Sequence, residues 1–185
     1  MISKPPRVWY IAYGSNVNEQ RFLRYLVGDS DHVGARDATP PRRSQWTTAA
    51  LQLRFAGESQ RWGGGVCFVD PDPDATAYVR AWDITAEQFE DVFAQENRRA
   101  LGEPFDWPAA MEGTTASGAG WYGQILPVDL PVVADAQPAL TFTWTTRFPL
   151  NTPASAYRDT ISAGLADHPG LSPAETNAYL DASVA

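Results

Sequence analysis

Residues 7 to 26, RVWYIAYGSNVNEQRFLRYL, constrain the fold more tightly than any other stretch of the chain. The β-branched and aromatic residues of 7–13 read as a buried strand. That run stops at Tyr13, and a helical pattern begins at about Val17. Strand therefore becomes helix within Tyr13, Gly14, Ser15 and Asn16. Asn16 is a capping residue type, and Glu19 stands at the third helical position, as in a capping box. The amides around Gly14, Ser15, Asn16 and Val17 then face outward from a helix start, at the positive end of its dipole. Such a turn suits a carboxylate or a developing oxyanion, and glycine lets a ligand approach the backbone closely. The same residues also make an ordinary strand-to-helix turn, with Asn16 as its cap.

The remaining pattern is mixed. Strands are expected over 45–55, 66–69, 75–84, 121–128 and 139–146, where β-branched and aromatic residues concentrate. Gly63, Gly64 and Gly65, ahead of the third strand, signal a bulge or a close backbone approach. PDPD, Pro71 to Asp74, reads as a turn. Helices are expected after Thr85 with Gln88 in the box position, after Thr152 with Pro153 first, and after Ser172 with Pro173 and Glu175. Strands in the middle with helices around them predict an α+β fold. Its core would be a mixed β-sheet, closing into a small β-barrel flanked by helices, as one domain over residues 1–185.

In the helix after Thr85, the apolar residues Phe89, Val92 and Phe93 mark one face. One turn further along that face lies Glu96, whereas Glu87, Glu90 and Asp91 fall on the polar side. A carboxylate aimed at the core is raised in pKa and suits proton transfer near neutral pH. Alternatively Glu96 lies at a frayed helix end or pairs with Arg98 or Arg99. Residues 100–120, LGEPFDWPAAMEGTTASGAG without the first position, lose the periodic pattern and read either as a lid or as a passive surface insertion.

Composition excludes several classes. A formal net charge of −8 disfavours nonspecific nucleic-acid binding. No run approaches the ~18 apolar residues of a membrane span, and no secretory leader is visible. The expectation is a cytoplasmic protein with no nucleic-acid or membrane partner. The lone cysteine, Cys67, excludes an intrachain disulfide and lies in an apolar run as a small core residue. The two histidines, His32 and His168, are far apart, so neither a metal nor a His-based triad is expected. Trp46, Trp82 and Trp144 fall in strand patterns and read as core. A homodimer is compatible with the sequence.

Together these residues resemble the γ-glutamylcyclotransferase family. The carriers are YGSN at the end of the first strand, Tyr13 to Asn16, and the glycines before VCFV. A strand ending in tryptophan follows, then a short helix ending in a glutamate, here VRAWDITAEQFEDVFAQEN with Glu96. Near the C-terminus NTPASAYRDTISAGL matches a helical element whose tyrosine is Tyr157. The resemblance covers roughly residues 8–180. Phe148 stands where family members often carry a tyrosine, and the segment after Glu96 is longer than usual.

The resemblance implies ring closure of a γ-glutamyl amide. The substrate's α-amine attacks its own γ-carbonyl and releases 5-oxoproline and a free amine, without cofactor or metal. Glu96 is implied as base and then acid. Gly14, Ser15 and Asn16 would hold the glutamyl moiety, and Tyr13 would shape a wall. Tyr157, on a stripe with Ile161 and Leu165, is either a core aromatic or a hydroxyl facing the pocket. A non-catalytic binding module of the same fold is the alternative.

Overall fold

The computed structural model describes residues 4–114, 120–130 and 137–184. In chain order the elements are β1 (Arg7–Ala12), a 3-10 turn (Ser15–Val17), α1 (Glu19–Val27), β2 (Arg43–Ala49), β3 (Leu51–Ser59), β4 (Gly64–Pro71), β5 (Ala77–Thr85), α2 (Ala86–Glu96), α3 (Trp107–Met111), β6 (Gln124–Pro127), β7 (Ala139–Thr143), α4 (Ser155–Leu165) and α5 (Pro173–Ala182). The chain divides into two compact units, interleaved in sequence. One comprises Met1–Ile11, Leu23–Thr47 and Arg80–Thr146, the other Ala12–Phe22, Thr48–Val79 and Arg147–Ala185.

The first unit is built on a five-stranded sheet in the order β2-β5-β1-β7-β6. β1 runs parallel to β7, with Trp9 opposite Ala139, and β6 runs antiparallel to β7, so the sheet is mixed as expected. Central β1 is buried along nearly its whole length, which is why it reads as a continuous apolar run. α2 starts in the expected capping box, with Thr85 and Gln88 each bonding the other's backbone. Its apolar face then meets the sheet: Phe89 lies 6.1 Å from Tyr10 and Phe93 5.7 Å from Phe142, edge to face. Burying such rings contributes about 1.5–3 kcal/mol each.

The second unit centres on the β3–β4 hairpin, paired antiparallel from Leu51 opposite Pro71 to Ala56 opposite Val66. The ladder is irregular between Ala56 and Ser59. The glycine run leading into β4, whose first two residues are Gly64 and Gly65, has the close approach read from sequence. A side-chain carbon on Gly65 would overlap the Asn151 carbonyl, and the Gly65 amide donates to Thr152 O at 3.0 Å. α5 keeps its predicted cap: Ser172 and Glu175 form a full capping box with Pro173 between them.

Several local expectations change. The strand expected over 45–55 is two strands, broken at the exposed Ala50; an unbroken Thr/Ala/Leu run conceals that break. Asn16 does not cap α1. Asn18 does, its Oδ1 accepting from the Arg21 amide at 3.1 Å, because a 3-10 turn intervenes. α4 begins at Ser155 after Ala154, not directly after Thr152. The segment after 100 contains α3, capped by Asp106 with Pro108 in its first turn. Phe105 and Trp107 there pack on Phe89. The lid expectation falls partly on 115–119, outside the described residues. Trp82 and Trp144 are buried as expected, but Trp46 is only half-buried.

Candidate functional site

The turn after β1 lies in the second unit. Tyr13, Ser15 and Asn16 are buried and Gly14 is half-buried. The 3-10 turn closes on Val17 N to Gly14 O at 3.0 Å and Asn18 N to Ser15 O at 3.1 Å. The Val17 amide is therefore occupied, which removes it from the donors expected to face a ligand. Among the described residues, no hydrogen bond occupies the amides of Gly14 and Ser15.

Two elements brace this turn, α4 and β4. α4 backs onto it through Gly164, where a side-chain carbon would stand 2.6 Å from Asn18 N. β4 supplies Cys67, and α4 supplies Tyr157. The Cys67 amide donates to the Tyr157 hydroxyl at 3.1 Å. A side-chain carbon on Gly14 would lie 3.0 Å from Cys67 Cβ and 3.2 Å from that hydroxyl. Gly14 has φ −106°, a value any residue adopts, so close packing is what requires glycine there. Tyr157 is buried with Ile161 and Leu165, as the stripe predicted. Its ring meets Phe55 at 6.3 Å and Trp62 at 5.0 Å. Both readings of Tyr157 thus have a physical counterpart: the ring is core, and the hydroxyl stands at the turn. Phe148 packs on Phe68 at 5.5 Å. Burial pushes the Cys67 thiol up to about 12, partly countered by its bond to Tyr157, so it is a core thiol and no nucleophile.

Glu96 lies in the first unit as the last residue of α2 and is half-buried. The carboxylate of α2 that enters the core is Asp91, with no exposed side-chain surface. It accepts the Arg36 amide at 2.8 Å and Arg36 Nε at 2.9 Å. Glu90, also assigned to the polar side from sequence, is 12% exposed, bonding Trp107 Nε1 at 2.7 Å and Lys4 Nζ at 2.8 Å. Periodicity counts apolar side chains and misses an acid that arrives in the core with its cation. Arg99, one of the partners considered for Glu96, pairs with Glu103 at 2.7 Å. Beside Glu96, Asn97 fixes the end of the helix: its Oδ1 accepts from Tyr122 N at 3.0 Å and its Nδ2 donates to Phe93 O at 3.0 Å. Among the described residues no group of three or more His, Cys, Asp or Glu side chains could hold a metal ion. No described helix is long and apolar enough to cross a membrane.

Against solved structures, the chain matches a γ-glutamyl cyclotransferase with a TM-score of 0.60 at 15% identity, over 94% of this chain and 86% of that one. The fold is γ-glutamylcyclotransferase-like. An uncharacterised human protein matches with a TM-score of 0.59 at 16% identity, covering 95% of this chain and 87% of its own. YkqA from Bacillus subtilis matches with 0.58 at 16%, covering 96% and 54%. At these identities the likeness is one of fold. No protein-family model matches the chain. A curated relative, histone deacetylase 5 of Arabidopsis thaliana, is 33% identical over 211 aligned residues, which span 96% of this chain and 31% of that protein. The chain thus spans about a third of the length of the curated relative it matches.

Within this γ-glutamylcyclotransferase-like fold, the sequence reading missed Arg21 and Trp62. Arg21 is buried on α1 at 6% exposure, and its guanidinium carbon sits 5.5 Å from the centre of the Trp62 ring. The signal was present. Arg21 lies one residue before buried Phe22 and four before buried Tyr25, the pattern that drew attention to Glu96 on α2.

Proposed function

We propose that the protein is a γ-glutamylcyclotransferase-like enzyme that releases 5-oxoproline and a free amine from a γ-glutamyl amide. The observation that carries this reading is the pair of Gly14 and Ser15 amides. They have no hydrogen-bond partner among the described residues and lie at a turn braced from two sides. Two rigidly held backbone donors at a strand-to-helix turn suit a carboxylate or a tetrahedral oxyanion. The likeness to a γ-glutamyl cyclotransferase fold supports the same reading.

In this mechanism the γ-glutamyl chain folds so that its α-nitrogen approaches its own γ-carbonyl, and ring closure gains from having both reactants in one molecule. The new C–N bond forms as the carbonyl becomes an oxyanion, held by the Gly14 and Ser15 amides with Asn16. Collapse then breaks the bond to the leaving amine. Of the α-ammonium's three protons, one stays on the ring nitrogen and Glu96 moves one to the leaving nitrogen. The third exchanges through solvent with the departing amine. Tyr13 forms a wall, and the Tyr157 hydroxyl lines the turn. The substrate is a small molecule, and an acidic chain of net charge −8 favours a neutral or cationic amine half.

A second reading is a non-catalytic binding module of the same fold, since the Gly14 and Ser15 amides would hold an anion whether or not a proton is transferred. Assay of 5-oxoproline release from a panel of γ-glutamyl amino acids, amines and peptides separates the two. Release by wild type and none by Glu96→Gln supports the enzyme. No release across the panel, with 5-oxoproline or glutamate still bound, supports the module.

A further inference from the structure

We infer that Asn97 is a positioning residue for Glu96: it clamps the last turn of α2 to the backbone of Tyr122 and so fixes the carboxylate that moves the proton. This rests on the function proposed above and adds to it the residue that holds the acid–base group. Glu96 is the final residue of α2, and helix ends fray. A carboxylate that carries a proton between two nitrogens does not tolerate that freedom. A misplacement of about 1 Å in a catalytic constellation costs about 100-fold in rate. The turn that carries Glu96 therefore has to be tied to something outside its own helix.

The Asn97 side chain is that tie. It is only 9% exposed. Its Nδ2 donates to Phe93 O at 3.0 Å and to Tyr122 O at 3.4 Å, and its Oδ1 accepts from Tyr122 N at 3.0 Å. One amide thus bonds the last turn of α2 and both backbone groups of a residue 25 positions away. Two N–H donors and one acceptor are all in use, a set that neither a carboxylate nor an alkyl side chain reproduces. Two further features serve the same closure. A side-chain carbon on Gly120 would overlap Asn97 Oδ1, so glycine there lets the Tyr122 segment approach. Beyond Asn97 the helix closes in a Schellman turn, Arg99 N to Ala94 O at 2.8 Å and Arg98 N to Gln95 O at 3.2 Å, with Arg98 at φ +55°. That left-handed conformation is unfavourable for a residue with a side chain, and it is held where Asn97 pins the chain. Glu96, Asn97, Gly120 and Tyr122 all belong to the first unit.

The test separates kcat from KM for 5-oxoproline release. In Asn97→Ala, kcat should fall about 10- to 100-fold with KM nearly unchanged, because the amides assigned to the glutamyl group lie on the turn after β1. Gly120→Ala presses on the same amide from the other side and should lower kcat alike. The double variant should fall no further than the worse single one, since both changes break one clamp. Asp83→Asn weakens the first unit ahead of the opposite end of α2, and at a temperature where it is folded it should keep its kcat. A wild-type kcat in Asn97→Ala, a loss confined to KM, or an equal loss in Asp83→Asn overturns the inference and leaves the proposed reaction standing. If wild type releases no 5-oxoproline from any γ-glutamyl amide, the proposed reaction fails and the inference falls with it. Thermal melting checks that Asn97→Ala is folded. If it is not, Asn97→Asp decides, since it keeps an acceptor for Tyr122 N and loses both donors; a wild-type kcat in that variant overturns the inference.

Discussion

The hydroxyl of Tyr157 accepts the backbone amide of Cys67 at 3.1 Å, joining α4 to the middle of β4 across ninety positions of sequence. Both residues are buried. Tyr157→Phe keeps the ring against Phe55 and Trp62 but leaves the Cys67 amide without this acceptor. A buried donor that loses its acceptor costs about 1–3 kcal/mol. The urea midpoint of Tyr157→Phe should fall accordingly with the slope unchanged, because no extra surface is exposed on unfolding. A midpoint equal to wild type would show that the amide finds another acceptor.

Gly14→Ala tests the packing of the same turn. At φ −106° alanine meets no backbone strain. Its methyl would instead press on Cys67 Cβ at 3.0 Å and on the Tyr157 hydroxyl at 3.2 Å. Overpacking of this kind costs about 1–3 kcal/mol. Chemical denaturation should show a loss in that range, and Gly14→Ala with Tyr157→Phe should lose less than the two single losses added, since the second change relieves one contact. Strict additivity would mean that the methyl does not meet the hydroxyl.

Local signals in the sequence held where the physics was local. The boxes at Thr85 and Ser172 and the close approach at Gly65 follow from side chains within three residues or from the absence of a side chain. The start of α1 was misplaced by two residues because Asn16 and Asn18 are equivalent caps in sequence. Only the 3-10 turn, through the Val17 and Asn18 amides, decides between them. What the sequence hid were partners far along the chain. Asp91 is buried because Arg36 comes to it from 55 positions away, and the contact of Tyr157 with Cys67 is equally invisible from either residue's own neighbourhood. Arg21 was legible by the periodicity applied to α2, but an arginine on an apolar face is easily taken for a solvated one.

The two acids of α2 should separate cleanly in stability. Asp91→Ala strips a carboxylate with no exposed surface from Arg36, which is itself 37% exposed. The expected loss is about 2–3 kcal/mol, below the roughly 3–5 of a fully enclosed pair, because the freed guanidinium regains some water. Glu96→Gln, at the half-buried helix end, should stay within about 0.5 kcal/mol of wild type while losing cyclisation. Parallel urea melts of the two variants make the comparison. A Glu96→Gln protein as unstable as Asp91→Ala would mean that its lost turnover reports unfolding and not chemistry.

Asp83 sets an acid limit on the fold. Its carboxylate has no exposed surface and accepts Arg7 Nε at 2.6 Å, Arg42 Nε at 2.7 Å and Arg43 Nε at 3.1 Å. Burial alone pushes its pKa up, but the three guanidinium groups outweigh burial and hold it below the ordinary 3.8. A carboxylate lower in the folded chain than in the unfolded one stabilises the fold above its unfolded value of about 3.9, and that contribution disappears as pH falls through the folded value. Asp83→Asn should therefore be less stable than wild type at pH 7, by about 2–4 kcal/mol. The gap in urea midpoint between the two proteins should hold from pH 7 to about 5 and narrow below about 4, where wild type loses the same charge by protonation. A gap that stays constant down to pH 2.5 would show that the three arginines hold Asp83 by shape and hydrogen bonding, with its ionisation contributing nothing to stability.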